Sequence, residues 1–467
     1  MKYPSLLLLC LFAVLTATAQ VTLPSFFSDG MVLQQKSNVK LWGKAQGRKA
    51  INVQTSWDGK RYRVTADTSG RWLLQLPTPA AGGPYTIRIS QQNQLQLSNI
   101  LIGEVWLCSG QSNMDMPVKG YANSPIRDAA ELLLKSPNPR IRLFHVERQY
   151  AAKAMTEVKG KWQEADAASV SEFSAAGYQF ASFLSEHLKV PVGLIQSTWG
   201  GSPIEAWMDE SALKEAMTAE QLKNDRAIGK AVHQVPGSLF NGMIAPLCGY
   251  GMAGVLWYQG EQNRYNYEDY LRLQPAMLKS WREHWGIGEW PFYYVQIAPM
   301  QYPGQQAVLA PRFREVQLKL MDLQPNSGMV VSIDGGEAHN IHPPDKTIIG
   351  QRLAFWALSN TYGKKAFAVR GPEYESMKLS HDTVSLKFRN VPLGLTSFGK
   401  TLTQFEVAGT DRVFYPANAV IKGSAVLVCS KRVPVPVAIR YAFKDWATGE
   451  LYNVEGLPAS SFRTDSW

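Results

Sequence analysis

Between Leu101 and Gly363, short apolar runs alternate with stretches of helical periodicity, and this order constrains the fold more than any other feature of the chain. Val192 to Gln196, Gly254 to Trp257, Phe292 to Ile297 and Met329 to Ile333 are rich enough in apolar residues to be strands buried on both faces. Between them, Phe173, Gly177, Phe180 and Leu184 share one helical face, and Phe313, Val316 and Leu320 share another. Strand–helix alternation of this kind predicts a parallel sheet covered by helices on both sides. The flanks read differently. From Gln20 to about Ile100, alternating runs such as Val39 to Trp42 and Tyr85 to Ile89 are broken by Asp58-Gly59, Ser69-Gly70 and Gly82-Gly83-Pro84, a spacing that predicts an antiparallel β-sandwich. After Ala366 the alternation returns in Val384 to Phe388, Ala425 to Val428 and Val437 to Arg440, predicting a second β-rich unit. The expected organisation is a leader (1–19), an N-terminal β-sandwich (20–100), an α/β domain (101–365) and a C-terminal β-rich domain (366–467), without internal repeats.

The leader has one early lysine, an apolar run from Leu6 to Leu15 and small residues up to Ala19, the pattern of a secretory signal cleaved after Ala19. That run is too short to span a bilayer comfortably, so the expectation is an exported protein, periplasmic or secreted, with no membrane segment after cleavage. Of 467 residues, 45% are hydrophobic and 11% aromatic, which excludes disorder as the dominant state. The net charge of +10 comes from scattered Lys and Arg and forms no long basic run, which argues against nucleic-acid binding. Cys10 falls in the leader. The sparse remainder, Cys108, Cys248 and Cys429, makes no disulfide framework and lacks the spacing of a zinc site.

Four polar loops follow strands of the central region, where an open parallel sheet places its ligands. In Cys108-Ser109-Gly110-Gln111-Ser112-Asn113-Met114, Ser112 sits in a glycine-containing turn, suited either to a nucleophile or to capping a helix. In Ser197-Thr198-Trp199-Gly200-Gly201-Ser202-Pro203, the paired glycines either make a plain turn or aim an N–H at a developing negative charge. Trp257-Tyr258-Gln259-Gly260-Glu261-Gln262-Asn263 offers an amide donor in Gln259 and, in Glu261, an acid, a base or a clamp for its own loop. Asp334-Gly335-Gly336-Glu337-Ala338-His339-Asn340-Ile341-His342-Pro343 holds two of only 7 histidines, which points to a base; a His339/His342 metal pair ranks below it for want of further ligands in recognisable spacing.

Taken together, Gly110 to Met114, Gly200-Gly201-Ser202-Pro203, Trp257 to Glu261 and Ile341-His342-Pro343 resemble, in that order, the blocks of the sialate O-acetylesterases, a branch of the SGNH hydrolases. Leu23-Pro24 with Phe27 to Gln34, and Gly456 to Ala459 with Phe462-Arg463, extend the likeness to both ends of the mature chain. The resemblance implies an SGNH-hydrolase-like α/β domain and a carbohydrate esterase that removes O-acetyl groups, from sialic acid or alternatively from xylan- or pectin-type polysaccharide, without metal or organic cofactor. It implies Ser112 as nucleophile, His342 as base, and an oxyanion hole formed by the N–H groups of Ser112 and Gly201 with the Gln259 amide. The family's usual Asp three residues before the histidine is His339 here. That leaves a Ser–His dyad, with Asp334 as the best carboxylate to complete it and Glu337 or a backbone carbonyl as alternatives. Trp199, Glu261 and Arg264 are the candidate substrate contacts, beside Trp207, Trp257, Tyr258, Tyr265 and Lys119, all of which also suit core or surface roles. A glycoside hydrolase using Glu261 with Asp334 or Glu337, and a non-catalytic carbohydrate-binding protein, are the rival classes.

Overall fold

The computed structural model describes residues 20–226, 229–302 and 308–467; the expected signal peptide lies outside them. The central strands are β1 (Gln94–Gly110), β2 (Asn138–His145), β3 (Trp162–Ala165), β4 (Val192–Thr198), β5 (Gly254–Tyr258), β6 (Phe292–Val295) and β7 (Ser327–Val330). They lie in the order β7-β6-β5-β1-β4-β2-β3, parallel throughout except for β3, which returns antiparallel along β2. The helices that matter for the site are α1 (Ser112–Asp115), α2 (Ala175–Leu188), α3 (Tyr270–Trp285), α4 (Leu309–Leu323) and α5 (Lys346–Trp356).

Because successive side chains of a strand point to opposite faces, β1 feeds two cores. Val105 and Leu107 pack on the side that holds Met277 and Trp281 of α3 and Phe313 and Leu320 of α4. Trp106 and Cys108 pack on the other, with Phe180 and Leu184 of α2 and Ile349 and Leu353 of α5. Helices therefore cover both faces, as the alternating pattern predicts.

The flanking units are β-rich. On the N-terminal side, Asn38–Lys44 pairs with Arg71–Pro77, while Ala50–Thr55 pairs with Arg61–Thr65 and Gly82–Ser90. The expected boundary at residue 100 falls inside β1, whose 17 residues pair first with Gly82–Ser90 and Val32–Gln34 and then, from Glu104, with β4 and β5. Ile100, Leu101 and Ile102 offer no turn residue at which the strand could stop, so N-terminal strands and central strands join in one 11-stranded sheet. The C-terminal unit contains two four-stranded sheets around its own core. Cys108, Cys248 and Cys429 are free thiols. Among the described residues, no helix is long and apolar enough to cross a membrane.

Candidate active site

The carboxyl ends of β1, β4 and β5 and the loop after β7 meet around the turn that carries Ser112. Gly110 has φ +130°, and a side chain there would run into the Tyr258 carbonyl, so only glycine lets β1 end against β5 and turn directly into α1. Ser112 is half-buried between fully buried neighbours that tie down the other loops. Gln111 Oε1 accepts the N–H groups of Gly260 at 3.2 Å and Gln262 at 3.3 Å, fixing the loop after β5. Trp199 N donates to Gly110 O at 3.1 Å, and a Cβ at Gly200 would lie 3.4 Å from Ser112 Cβ, which brings the loop after β4 against the serine. Asn113 Nδ2 donates to Glu261 Oε1 at 2.6 Å and to Ile341 O at 3.0 Å, drawing in the loop after β7. One turn of chain thus gathers all four loops. Among the described residues, the backbone N–H groups of Ser112 and Gly201 have no hydrogen-bond acceptor, and Gly201 holds φ +71°, a conformation that favours glycine.

His342 stands one residue beyond the carbonyl that Asn113 grips. Its backbone N–H donates to Asn340 Oδ1 at 2.9 Å, an oxygen that also receives Ser124 Oγ at 3.2 Å. Its ring lies edge-on to Tyr121, 5.2 Å between centroids, and the Tyr121 hydroxyl reaches the Ser112 carbonyl at 3.5 Å. His342 Nε2 is buried without a partner among the described residues. Burial first, and then the charge of Lys346, push the imidazole down to about 4, against a smaller upward pull from Asp115. The ring is therefore a free base at neutral pH. His339 and Glu337 are exposed, and among the described residues no three His, Cys, Asp or Glu side chains cluster as metal ligands would.

These observations meet the comparisons with known proteins. The model of the family described as carbohydrate esterase, sialic acid-specific acetylesterase matches residues 102–358. The chain belongs to this family. Human and rat sialate O-acetylesterases are 29% and 27% identical to it; each alignment covers 90% of this chain, with 87% of the human and 89% of the rat protein. The crystal structure of a carbohydrate acetylesterase from Xanthomonas citri superposes with a TM-score of 0.87 at 35% identity, covering 96% of this chain and all of the other. The protein is a carbohydrate esterase, a carboxylic ester hydrolase.

Two of the residues expected in the esterase's catalytic set have other partners. Asp334 meets Arg352 in a two-pronged ion pair, with Nη1 on Oδ1 and Nη2 on Oδ2 at 2.7 Å each, so the carboxylate expected to orient His342 is held by α5 and, among the described residues, makes no hydrogen bond to His342. Gln259 is fully buried, and its Nε2 donates to Asn263 Oδ1 at 2.7 Å and Ser202 O at 3.2 Å, while Tyr270 Oη donates to its Oε1 at 2.7 Å. Both amide hydrogens are thus committed, and Gln259 is a brace between the second and third loops instead of an oxyanion donor. Glu261 is the clamp of its alternatives. Besides accepting from Asn113, it is buried, its pKa is raised by that burial, and its Oε2 has no partner among the described residues. On the far side of Asn113, the fully buried Lys346 Nζ donates to Asn113 Oδ1 at 2.6 Å, its own pKa lowered by burial.

Around the esterase's serine, Trp199 is half-buried and stacks on His233 with 5.5 Å between ring centroids. Trp207, Trp257 and Tyr258 are core residues, fully buried. Arg264 lies over the rings of Tyr265 and Tyr302, 4.3 and 4.1 Å from their centroids, and donates to the Glu261 carbonyl, which makes it part of its own loop's scaffold. Lys119 pairs with Glu172 on the surface. Sequence reasoning missed Asp115, which is buried one helical turn after Ser112 and accepts from Thr198 Oγ1, Tyr121 Oη and Arg148 Nη2 at 2.6 Å each. Its signal was present: three residues beyond Ser112 in a helix returns to the same face. Nothing local marked Arg148 or Lys346.

Proposed function

We propose that this esterase removes O-acetyl groups from sialic acids through Ser112 and His342. The observation that supports the reading is the Asn113 side chain, which holds the third and fourth loops to the turn bearing Ser112 by gripping Glu261 and the carbonyl one residue before His342. The domain arrangement in this reading is an SGNH-type α/β unit between an N-terminal β-sandwich and a C-terminal β-rich unit. His342 Nε2 takes the proton of Ser112 Oγ as that oxygen attacks the acetyl carbonyl, and returns it to the departing sugar oxygen. The tetrahedral oxyanion is received by the N–H groups of Ser112 and Gly201, fixed donors that need not reorient as charge develops. Water, deprotonated by the same imidazole, then releases acetate from the acyl-serine. With Asp334 held by Arg352, the pair works as a dyad. Sialic acid as the acyl carrier is supported by the family description and by the curated relatives, which are sialate O-acetylesterases.

The test is acetate release from O-acetylated sialic acids, acetylated xylan and acetylated pectin oligosaccharides by the wild type, Ser112→Ala and His342→Ala. The sialic acid substrates are expected to be preferred, with both variants slower by about a thousandfold or more. Equal rates in all three proteins would remove the catalytic assignment, and preference for a polysaccharide would remove the substrate assignment.

A further inference from the structure

We infer that Arg148 forms a carboxylate subsite beside the catalytic serine, which takes the acid group of an anionic acetylated sugar. The inference rests on the proposed action on sialic acids, whose carboxylate separates them from neutral acetylated sugars. Arg148 is 48% exposed, yet its guanidinium is anchored: Nη2 donates at 2.6 Å to Asp115, which is only 5% exposed and belongs to the same short helix as Ser112. A guanidinium held by a buried carboxylate keeps its direction and loses little freedom when a second anion arrives. Its Nη1 and Nε have no acceptor among the described residues and remain available.

Its neighbours link it to the helix of Ser112 and to the ring that packs on His342. The Asp115 oxygen that receives Arg148 also receives Tyr121 Oη, and the Tyr121 ring packs on His342. On its other side the guanidinium lies 5.9 Å from the centre of the Trp199 ring, and Trp199 precedes the glycine that approaches Ser112. A sugar whose acetyl group reaches Ser112 would therefore have a half-buried aromatic surface and a fixed cation along one side. The scattered excess of basic residues, a net charge of +10, favours approach of an anionic substrate in the same sense.

The test compares an O-acetylated sialic acid, the methyl ester of its carboxylate and a neutral chromogenic acetyl ester, using the wild type, Arg148→Met and Arg148→Lys. Lysine retains a charge beside Asp115 and separates loss of the fork from loss of the ion pair. The wild type is expected to favour the free acid over its methyl ester, chiefly through KM. In Arg148→Met the ratio of kcat/KM for free acid to that for neutral ester is expected to fall by about tenfold or more, with Arg148→Lys between them. A ratio unchanged in Arg148→Met, or an equal fall on all three substrates, overturns the subsite while leaving the substrate reading in place. A wild type that cleaves the neutral ester but neither sialic acid substrate overturns the substrate reading, and the subsite with it.

Discussion

At His342, burial and the positive charge of Lys346 act in the same direction, both favouring the uncharged imidazole. The base should therefore remain competent at pH values where a solvent-exposed histidine is already protonated. We expect kcat/KM on a chromogenic acetyl ester to hold through pH 6 and to fall only towards about 4, the value to which the imidazole is displaced. Lys346→Met removes one of the two depressing influences and should move the acid limb to higher pH; a limb that stays in place would show that Lys346 does not act on the base. Asn113 is the second test at this scale. Asn113→Ala leaves Lys346 and Glu261 buried without the group that bridges them, and should cost about 2–4 kcal/mol in urea unfolding as well as activity. The four loops that carry Ser112, Gly201, Gln259 and His342 were legible in the sequence because each is a polar stretch after an apolar strand, while the roles of Ser112 and His342 came from the family resemblance and not from residue type alone. The partners of Asp334 and Gln259 were not, since Arg352, Asn263 and Tyr270 reach them from helices and turns whose placement only the fold decides.

The four loops converge because the elements beneath them pack without slack. At Gly350, α5 packs closely against α2: a Cβ there would lie 2.5 Å from Gln179 Cβ and 2.8 Å from the Ala176 carbonyl oxygen. Gly350→Val should push α5 away from α2, carrying its first turn, and hence Lys346 and the His342 loop, with it. We expect a loss of about 2–3 kcal/mol by thermal or urea unfolding, and a lower kcat/KM in the fraction that remains folded. Unchanged stability would mean that the helix pair yields more easily than its contacts suggest. Strand positions were readable to within a few residues. β4 and β5 begin where their apolar runs begin, whereas the run from Met329 to Ile333 outlasts the pairing of β7, which ends at Val330, because Ile333 leaves the sheet to join the C-terminal core. Hydrophobic pattern records burial, and burial here continues past the last ladder bond.

Across the whole molecule, the flanking β units are built into the catalytic one. The N-terminal unit shares β1 with the central sheet, and a continuous apolar strand concealed that union because no turn signal interrupts it. The C-terminal unit docks on Arg314 of α4, which is fully buried and donates to Ser461 Oγ, Ala442 O and Lys444 O at 3.1, 3.4 and 2.6 Å. Arg314→Ala strands those acceptors at the junction and should cost about 3–5 kcal/mol by urea unfolding; a change under about 1 kcal/mol would mean that the two units are joined mainly by apolar contact. The proposed chemistry requires that Ser112 Oγ accept the acetyl group. Treatment with a fluorophosphonate, followed by peptide mass mapping, reads this directly: a single stoichiometric adduct is expected on Ser112, much slower to form in His342→Ala. Complete loss of esterase activity with the adduct on another residue, or full activity retained by Ser112→Ala, would contradict it.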